Sequence, residues 1–389
     1  MARPRQLTDS TRRRKISEDI RKDFLMLTSG SEDTSRAWAL RMLFGAASTV
    51  YREAVLLRND LYTLGLLRRM RLPLPSISVG NVTVGGTGKT PFVEYTVQKL
   101  KGMGLKPAVI ARGYGPRMPK GSASAGANDE SLLLTENTGV PVVLGADRRA
   151  AAFRAAELGA DVVVLDDAFQ HLKVMRDLDV VLLDSTAPFG FGKMLPRGLL
   201  REPLRALGRA DLIVITRVDL ARTADISLLK NAAMKAAPGK PVALTAHRSD
   251  ALIDVGTGQK ISVREVEDAP VGAFCGIGNP YSFGLLLRRL GTDLVLAKRF
   301  EDHHLYSAEE LVGTAQAAEK AGARFLITTQ KDAVKIPKEL AVALSLPLYY
   351  LQTRMEMLEG EDVYTSLILS ALENFHSSEE EKKALPWIK

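Results

Sequence analysis

One stretch of the sequence combines the residue types that bind phosphate groups. It follows the apolar run 77–79 and reads Gly80-Asn81-Val82-Thr83-Val84-Gly85-Gly86-Thr87-Gly88-Lys89-Thr90-Pro91. A strand, a glycine-rich loop, Gly-Lys-Thr and a helix in this order predict a P-loop. Glycines let backbone N–H groups converge on phosphate oxygens, a lysine neutralises the terminal phosphates, and a hydroxyl can bind Mg²⁺. The predicted nucleotide ligands are Gly85, Gly86, Thr87, Gly88, Lys89 and Thr90.

This loop departs from the strict P-loop pattern at one position. The pattern places a glycine six residues before the lysine, where the chain has Thr83. We expect Gly85 and Gly86 to supply the backbone freedom instead.

A second element typical of nucleotide sites follows further along the chain. The apolar run 162–165 ends in Asp166 and Asp167. A buried strand that delivers carboxylates at its carboxyl end is the usual way to hold Mg²⁺ beside a P-loop. Thr90, Asp166 and Asp167 are therefore the predicted metal ligands.

Composition limits the class of protein. Of the 389 residues, 46% are apolar and 25% charged, as in ordinary globular enzymes. The single cysteine, Cys275, excludes an internal disulfide and a thiolate metal cluster. A formal net charge of +8 favours an anionic partner, such as a nucleotide, a phospholipid surface or an acidic glycolipid. No run approaches the roughly 20 apolar residues of a spanning helix.

The elements that position these motifs alternate between strands and helices. Short runs that are apolar throughout are typical of parallel strands buried on both faces. They occur at 75–79, 107–110, 140–144, 162–165, 180–183 and 212–216, and again at 271–276, 324–328 and 346–351. The predicted fold class is α/β, a P-loop NTPase-like, mostly parallel sheet flanked by helices, with a second smaller α/β domain.

The predicted organisation has five parts. Residues 1–35 form a flexible basic arm, which is also compatible with a transit peptide. Residues 36–70 form a basic amphipathic helix, either packed on the core or lying at a membrane surface. The rest divides into a P-loop kinase domain at 71–250, a smaller α/β domain at 251–376 and a charged tail at 377–389.

Several further motifs give the chain a resemblance to a known family. With the P-loop, these motifs resemble the tetraacyldisaccharide 4′-kinase family of lipid A biosynthesis and occur in its order. They are Arg112-Gly113-Tyr114, Asp129-Glu130, Asp166-Asp167-Ala168-Phe169-Gln170-His171, Leu195-Pro196-Arg197-Gly198, Leu200-Arg201-Glu202-Pro203, Asp302-His303 and Thr329-Gln330-Lys331-Asp332. The chain differs from the family pattern at Asn128 to Ser131 and at Gly190 to Gly192, and its arm is longer.

The resemblance implies an activity and a location. The expected reaction transfers the γ-phosphate of ATP, with Mg²⁺, to the 4′-hydroxyl of a tetraacylated glucosamine disaccharide 1-phosphate, giving lipid IVA. The implied partners are that anionic glycolipid and, through the N-terminal helix, the membrane surface, with no nucleic acid. The implied location is the cytoplasmic face of the bacterial inner membrane, or the mitochondrion if the source is eukaryotic. The oligomeric state is left open.

The resemblance also implies roles for residues outside the P-loop. Asp129 and His303 match the family's acceptor-activating pair, with Lys89 as the third catalytic residue; taken alone, their patterns favour helix capping and a structural hydrogen bond. Substrate contacts are expected from Arg112, Tyr114, Glu130, Arg148, Gln170, His171 and Arg201.

Two other functions remain compatible with the residues. The run Thr216-Arg217-Val218-Asp219 faintly resembles a guanine-reading motif, which would favour a GTPase or a metallochaperone-type NTPase. A membrane adaptor that uses its P-loop only as a nucleotide switch would need no acceptor-activating residues.

Overall fold

The computed structural model describes residues 35–113 and 129–384, with no side-chain placement for residues 36, 37, 129, 250 and 379–384. Tyr114, Asn128 and nearly all of the predicted arm lie outside the described residues. The helices are α1 (Ser35–Thr63), α2 (Lys89–Gly102), α3 (Asp129–Thr138), α4 (Arg148–Glu157), α5 (Thr223–Ala236), α6 (Pro280–Arg289), α7 (Ala308–Lys320), α8 (Gln330–Ala333), α9 (Lys338–Val342) and α10 (Glu361–Ala384).

The described strands form one continuous sheet of 12 strands. They are β1 (Ser76–Asn81), β2 (Pro107–Ala111), β3 (Val142–Leu144), β4 (Val162–Asp166), β5 (Leu178–Asp184), β6 (Leu212–Thr216), β7 (Val242–Asp254), β8 (Lys260–Ser262), β9 (Pro270–Cys275), β10 (Asp293–Arg299), β11 (Phe325–Thr329) and β12 (Leu348–Glu359). Their order is β10-β9-β11-β12-β7-β6-β5-β1-β4-β2-β3, with β8 beside β7. Neighbours are parallel except at β12–β7 and β7–β8.

One sheet runs through both predicted domains, 71–250 and 251–376. The expected boundary at residues 250 and 251 falls inside β7, which pairs with β6 on one side and with β12 on the other. The helix α10 crosses this division, because Tyr364 packs its ring 5.6 Å from that of Phe92 in α2. It also continues through the predicted tail as far as Ala384. The division into two domains stays a prediction, because the sheet continues across the expected boundary.

The first helix has two different faces. Ser48, Val55 and Asn59 are buried against the protein, which agrees with the core reading of this segment. The outward face leaves large apolar side chains exposed, namely Trp38, Met42, Leu43, Val50 and Leu57. None of the helices in the described ranges is long and apolar enough to cross a membrane.

Candidate active site

A cleft of about 430 Å³ opens at the carboxyl ends of the central strands. Parallel sheets bind ligands at this edge, where neighbouring connections leave in opposite directions. One wall, here called the nucleotide side, consists of the loop 80–90 with Asp166 and Asp167. The opposite wall, the acceptor side, consists of Glu130, Asp302, His303, Gln330 and Lys331. The predicted phosphate-binding residues and His303 thus line one cleft.

The end of the P-loop is fixed by hydrogen bonds to neighbouring strands. Asn81 donates to the hydroxyl of Thr87 (3.0 Å), and Thr216 at the end of β6 donates to the Thr87 carbonyl (2.9 Å). Gly88 takes a left-handed conformation (φ 88°) as the residue before α2, and no side chain caps this helix. The first N–H groups of α2 therefore face the cleft and suit an anion.

The position of Thr83 explains the departure from the strict P-loop pattern. Residues 82–84 pair with the segment 199–201. Val84 N donates to Leu199 O (2.8 Å), and Arg201 N donates to Val82 O (2.8 Å). Thr83 itself forms a β-bridge with Leu200. This part of the loop is extended, so it does not need a glycine.

The neighbouring carboxylates Asp166 and Asp167 have opposite environments. Asp166 is 6% exposed, and its Oδ1 has no hydrogen-bond partner among the described residues. Burial, and then the charge of Glu130, raise the pKa of Asp166 to about 7. A buried oxygen without a partner is costly, and a cation bound there would remove that cost. Asp166 therefore fits the Mg²⁺ site expected beside Thr90, which also lines the cleft.

Asp167 is already paired with protein cations. Both of its oxygens accept from Nη1 of Arg201, at 2.9 and 3.0 Å, and Lys89 Nζ lies 3.7 Å from Oδ1. Burial alone would raise the pKa of Asp167, but the charges of Lys89 and Arg201 outweigh it and lower the pKa. This arrangement suits Asp167 to orienting Lys89 more than to binding a metal directly.

On the acceptor side, one lysine contacts two carboxylates and a histidine ring. Lys331 Nζ donates to Glu130 (3.0 Å) and Asp302 (3.4 Å) and lies 3.5 Å from Nε2 of His303. The backbone of His303 has a positive φ of 62°, an uncommon conformation for a residue with a side chain. Asp129 begins α3, next to Glu130, but its side chain is not described. The predicted contact between Asp129 and His303 therefore stays a prediction.

The other predicted substrate residues are spread over three kinds of position. Arg112 lines the cleft. Gln170 supports the P-loop by donating to Asn81 O (2.8 Å). Arg148 is 2% exposed and donates to the backbone oxygen of Asp166 (2.8 Å), beneath the cleft. His171 is half-buried outside the cleft lining, and burial together with nearby arginines lowers its pKa.

The structure does not support a guanine-reading site at 216–219. Arg217 donates to the P-loop carbonyl of Gly86 (2.8 Å) and forms an ion pair with Asp184. Asp219 accepts from the backbone N of His247 in β7 (3.0 Å). Because these side chains are engaged within the protein, the motif serves the P-loop and the sheet rather than a base.

Sequence reasoning missed several residues that line the cleft. His247 carries no motif, yet it lies beside Gly88, and burial followed by the charge of Arg217 lowers its pKa to about 3. Glu94 in α2 was missed because a helix pattern does not show which face meets the cleft; burial raises its pKa to about 7. Lys331 lies in the motif Thr329-Gln330-Lys331-Asp332, but the motif alone indicates no role for it. Asn279 bonds Asp184 and Thr186 through its side-chain amide (3.0 Å each).

Comparisons with known proteins give a consistent picture. The sequence model of the family described as tetraacyldisaccharide-1-P 4′-kinase matches residues 40–373. A tetraacyldisaccharide 4′-kinase from Syntrophus aciditrophicus is 37% identical over 86% of this chain and 93% of that protein. One from Anaeromyxobacter sp. (strain K) is 38% identical over 84% of this chain and 89% of that protein.

A solved structure is similar over most of both chains. The crystal structure of the "apo" form of LpxK from Aquifex aeolicus in complex with ATP has a TM-score of 0.65 and 28% identity, and the match covers 86% of this chain and 99% of that one. The similarity confirms the α/β, P-loop NTPase-like fold that the strand pattern predicted.

Proposed function

The chain belongs to the tetraacyldisaccharide 4′-kinase family, and we propose that its cleft transfers the γ-phosphoryl group of ATP to the 4′-hydroxyl of a tetraacylated glucosamine disaccharide 1-phosphate. Its activity is that of an ATP-dependent kinase of lipid A biosynthesis. The observation that carries the assignment to this cleft is that the P-loop and the Glu130–His303–Lys331 group line the same cleft. The alternatives of a GTPase and a non-catalytic adaptor are not favoured.

On the nucleotide side, the protein positions and neutralises the phosphates. The backbone N–H groups of residues 85–90, which include the start of α2, donate to the phosphate oxygens. Lys89, which is held by Asp167, neutralises charge at the transferred phosphoryl group. Thr90 and Asp166 would hold a Mg²⁺ ion, which would supply further charge neutralisation of the phosphates. In this assignment Asp167 is a positioning residue, and the orphaned oxygen of Asp166 supports its role as the ligand.

On the acceptor side, the protein activates the sugar hydroxyl. Asp129 takes the proton of the 4′-hydroxyl while the hydroxyl oxygen forms a bond to the γ-phosphorus. The bond between that phosphorus and the β,γ-bridging oxygen breaks, and ADP is released. His303 orients the Asp129 carboxylate. Arg112, which lines the cleft, and Tyr114 are assigned as ligands of the glycolipid. Arg148, Gln170 and His171 are assigned to the substrate site through the structure around the cleft.

The outward face of α1 is assigned to the membrane surface. Its exposed apolar side chains include Trp38 (64%) and Val50 (72%), and arginines flank them. A helix of this kind gains apolar burial and attraction to anionic lipids at an interface. The acyl chains of the substrate lie in the same interface, which would be the cytoplasmic face of the inner membrane in a bacterium, or a mitochondrial membrane in a eukaryote.

One experiment tests the function directly. The full chain is incubated with Mg²⁺, γ-labelled ATP and the tetraacylated disaccharide 1-phosphate in mixed micelles, and the product is identified by mass spectrometry and by the position of the new phosphate. We expect one label per disaccharide, at the 4′ position, with GTP a poorer donor. Release of labelled phosphate to water without a phosphorylated lipid would contradict the proposal.

A further inference from the structure

The segment Thr329-Gln330-Lys331-Asp332 forms a rigid turn at the end of β11. Thr329 Oγ1 and Asp332 bond each other reciprocally, at 2.7 and 3.2 Å. Asp332 is fully buried and also accepts from Lys335 Nζ (2.7 Å) and from Gly276 N (2.9 Å). The backbone that carries Lys331 is therefore held by several bonds that involve a buried charge.

The same turn is tied to the backbone of His303. Gly276 donates its N–H to Asp332, while its carbonyl accepts from the N–H of His303 (3.2 Å). A Cβ at Gly276 would lie 2.7 Å from the carbonyl oxygen of Glu301, so this close arrangement requires glycine. One residue, Gly276, thus links the turn that carries Lys331 to the backbone of His303.

The side chain of Lys331 lies among groups of the acceptor side. It is 18% exposed and faces Glu130 from α3 and Asp302 from the loop before α7. Its third neighbour is Nε2 of His303 at 3.5 Å. A lysine ammonium has three donors and no acceptor, so a hydrogen bond between them requires the lone pair on Nε2. The ring is then neutral, with its proton on Nδ1.

We propose that Lys331 is a positioning residue for phosphoryl transfer, which fixes the tautomer and ring orientation of His303 and holds Glu130 beside it. The proposal rests on the acceptor role assigned above to His303. Lys331 also balances the charges of Glu130 in α3 and of Asp302, whose Oδ1 lies 3.9 Å from Nε2 of His303. With Nε2 accepting from Lys331, Nδ1 of His303 carries the proton that orients the Asp129 carboxylate in the reaction proposed above.

The first test reads the tautomer rather than the activity. The full-length protein is labelled with ¹⁵N-histidine, and the ring signals of His303 are assigned with His303→Gln. We expect an Nδ1–H tautomer at pH 8 in the wild type and in Lys331→Arg, and a shift towards the Nε2–H tautomer in Lys331→Met. An Nε2–H tautomer in the wild type, or identical His303 signals in Lys331→Met, would overturn the proposal.

The second test is kinetic and uses a matched lysine. We expect Lys331→Met to lower kcat by about 10- to 100-fold with little change in KM for ATP, because a displaced group next to the reacting atoms costs about this much. It should also shift the acid limb of the pH–rate profile. Lys320→Met, an exposed lysine of α7 outside the cleft, is the control for loss of a charge and should match the wild type. A rise in KM for the glycolipid with kcat unchanged would make Lys331 a substrate ligand instead.

The two tests separate this proposal from the proposed function. If His303→Gln keeps full kcat, the acceptor role of His303 is wrong, while the ring signals still show whether Lys331 sets its tautomer. If His303→Gln is inactive and Lys331→Met retains both wild-type signals and wild-type kcat, only the positioning role of Lys331 is wrong.

Discussion

The two sides of the cleft balance their charges in different ways. On the acceptor side, Glu130 and Asp302 share Lys331, and the buried Asp332 has Lys335. On the nucleotide side, Asp166 is buried, and its Oδ1 has no hydrogen-bond partner within residues 35–113 and 129–384. A buried charge without a partner costs several kcal/mol in real proteins. The acceptor-side carboxylates are thus paired with lysines, and on the nucleotide side Asp167 is paired with Arg201, whereas Asp166 keeps an oxygen that suits the Mg²⁺ ion proposed above.

The two sides also differ in how the chain builds them. The P-loop positions its ligands within a few consecutive residues, and its neighbours hold it through backbone bonds such as Thr216 to Thr87. The acceptor side gathers residues from α3, from the loop before α7 and from α8. We therefore expect substitutions on the nucleotide side to act locally, and those on the acceptor side to depend on each other.

The largest effect is expected from the acceptor pair. Asp129→Ala and His303→Ala should each lower kcat by about 10²- to 10⁴-fold, because a positioned base accelerates attack by a weakly acidic hydroxyl. The double variant should lose far less than the product of the two losses, as residues that act as a unit do. His376→Ala, a histidine of α10 remote from the cleft, is the control. Multiplicative losses in single-turnover measurements would show that the two residues act independently.

On the nucleotide side, Lys89→Ala should lower kcat by about 10²- to 10³-fold, since it removes one preorganised charge from the transferred phosphate. The loss should be local, so thermal unfolding should stay cooperative. Lys101→Ala, in the last turn of the same helix, tests whether any lysine of α2 has this effect. If Lys89→Ala turns over glycolipid at near the wild-type rate, the P-loop does not act in catalysis.

The contrast between Asp166 and Asp167 predicts opposite stability changes. Because the folded pKa of Asp166 is raised from 3.8 to about 7, the unfolded chain loses this proton first as pH rises. Stability without metal should therefore fall between pH 4 and 7, by at most about 4 kcal/mol at 1.36 kcal/mol per unit. Asp166→Asn should raise the Tm at pH 8 and abolish stabilisation by Mg²⁺. Asp167→Asn should lower the Tm, since it breaks the pair with Arg201.

Calorimetry from pH 5 to pH 8, with and without Mg-ATP, checks both variants. If Asp166 binds the metal, Mg²⁺ should stabilise the wild type more at pH 8 than at pH 6, because binding requires the ionised carboxylate. Equal Tm changes for the two variants would mean that the neighbouring carboxylates do not differ in environment.

The sequence predicted the nucleotide side better than the acceptor side, for a physical reason. A P-loop and a buried strand ending in Asp166 are local patterns, and β1, β4 and β6 lie close to where short apolar runs placed them. The contact of Lys331 with His303 depends on how β9 and β11 pair in the sheet. Such long-range pairing leaves no signal in the spacing of residues along one chain.

Three strands, β7, β8 and β10, were missed because their patterns differ from those of buried parallel strands. β8 is short and exposed at both ends, at Lys260 and Ser262. β10 lies at the edge of the sheet and mixes exposed and half-buried residues along Asp293–Arg299. β7 continues across the expected domain boundary at residues 250 and 251, where it pairs antiparallel with β12. A single sheet across both parts could not be predicted, because the joining strand carries polar residues such as Thr245 and His247.

The smallest effect is expected at α1, the helix proposed above to lie at the membrane surface, which packs beside the nucleotide side. Tyr51 donates to Arg201 O (3.1 Å) and Asn59 donates to the buried Glu202 (2.9 Å). The outward residues Leu43 and Leu57 are each 62% exposed and make no part of these contacts. Leu43→Gln with Leu57→Gln should therefore leave the fold and the cleft intact while weakening docking to anionic vesicles.

The expected loss follows from the apolar area that two leucines bury at an interface. Full burial of a leucine contributes about 1.5–3 kcal/mol, so partial insertion of both predicts roughly a 10-fold weaker vesicle affinity. The residual binding should fall with added salt, because the flanking arginines are screened. Leu228→Gln, which removes a 68% exposed leucine from α5, is the matched control. Activity on micellar substrate should remain within about twofold, since neither leucine reaches the cleft. If the double variant has the wild-type Tm and sediments with vesicles as the wild type does, the outward face of α1 does not dock to the membrane. The helix α1 would then serve only to pack against the protein.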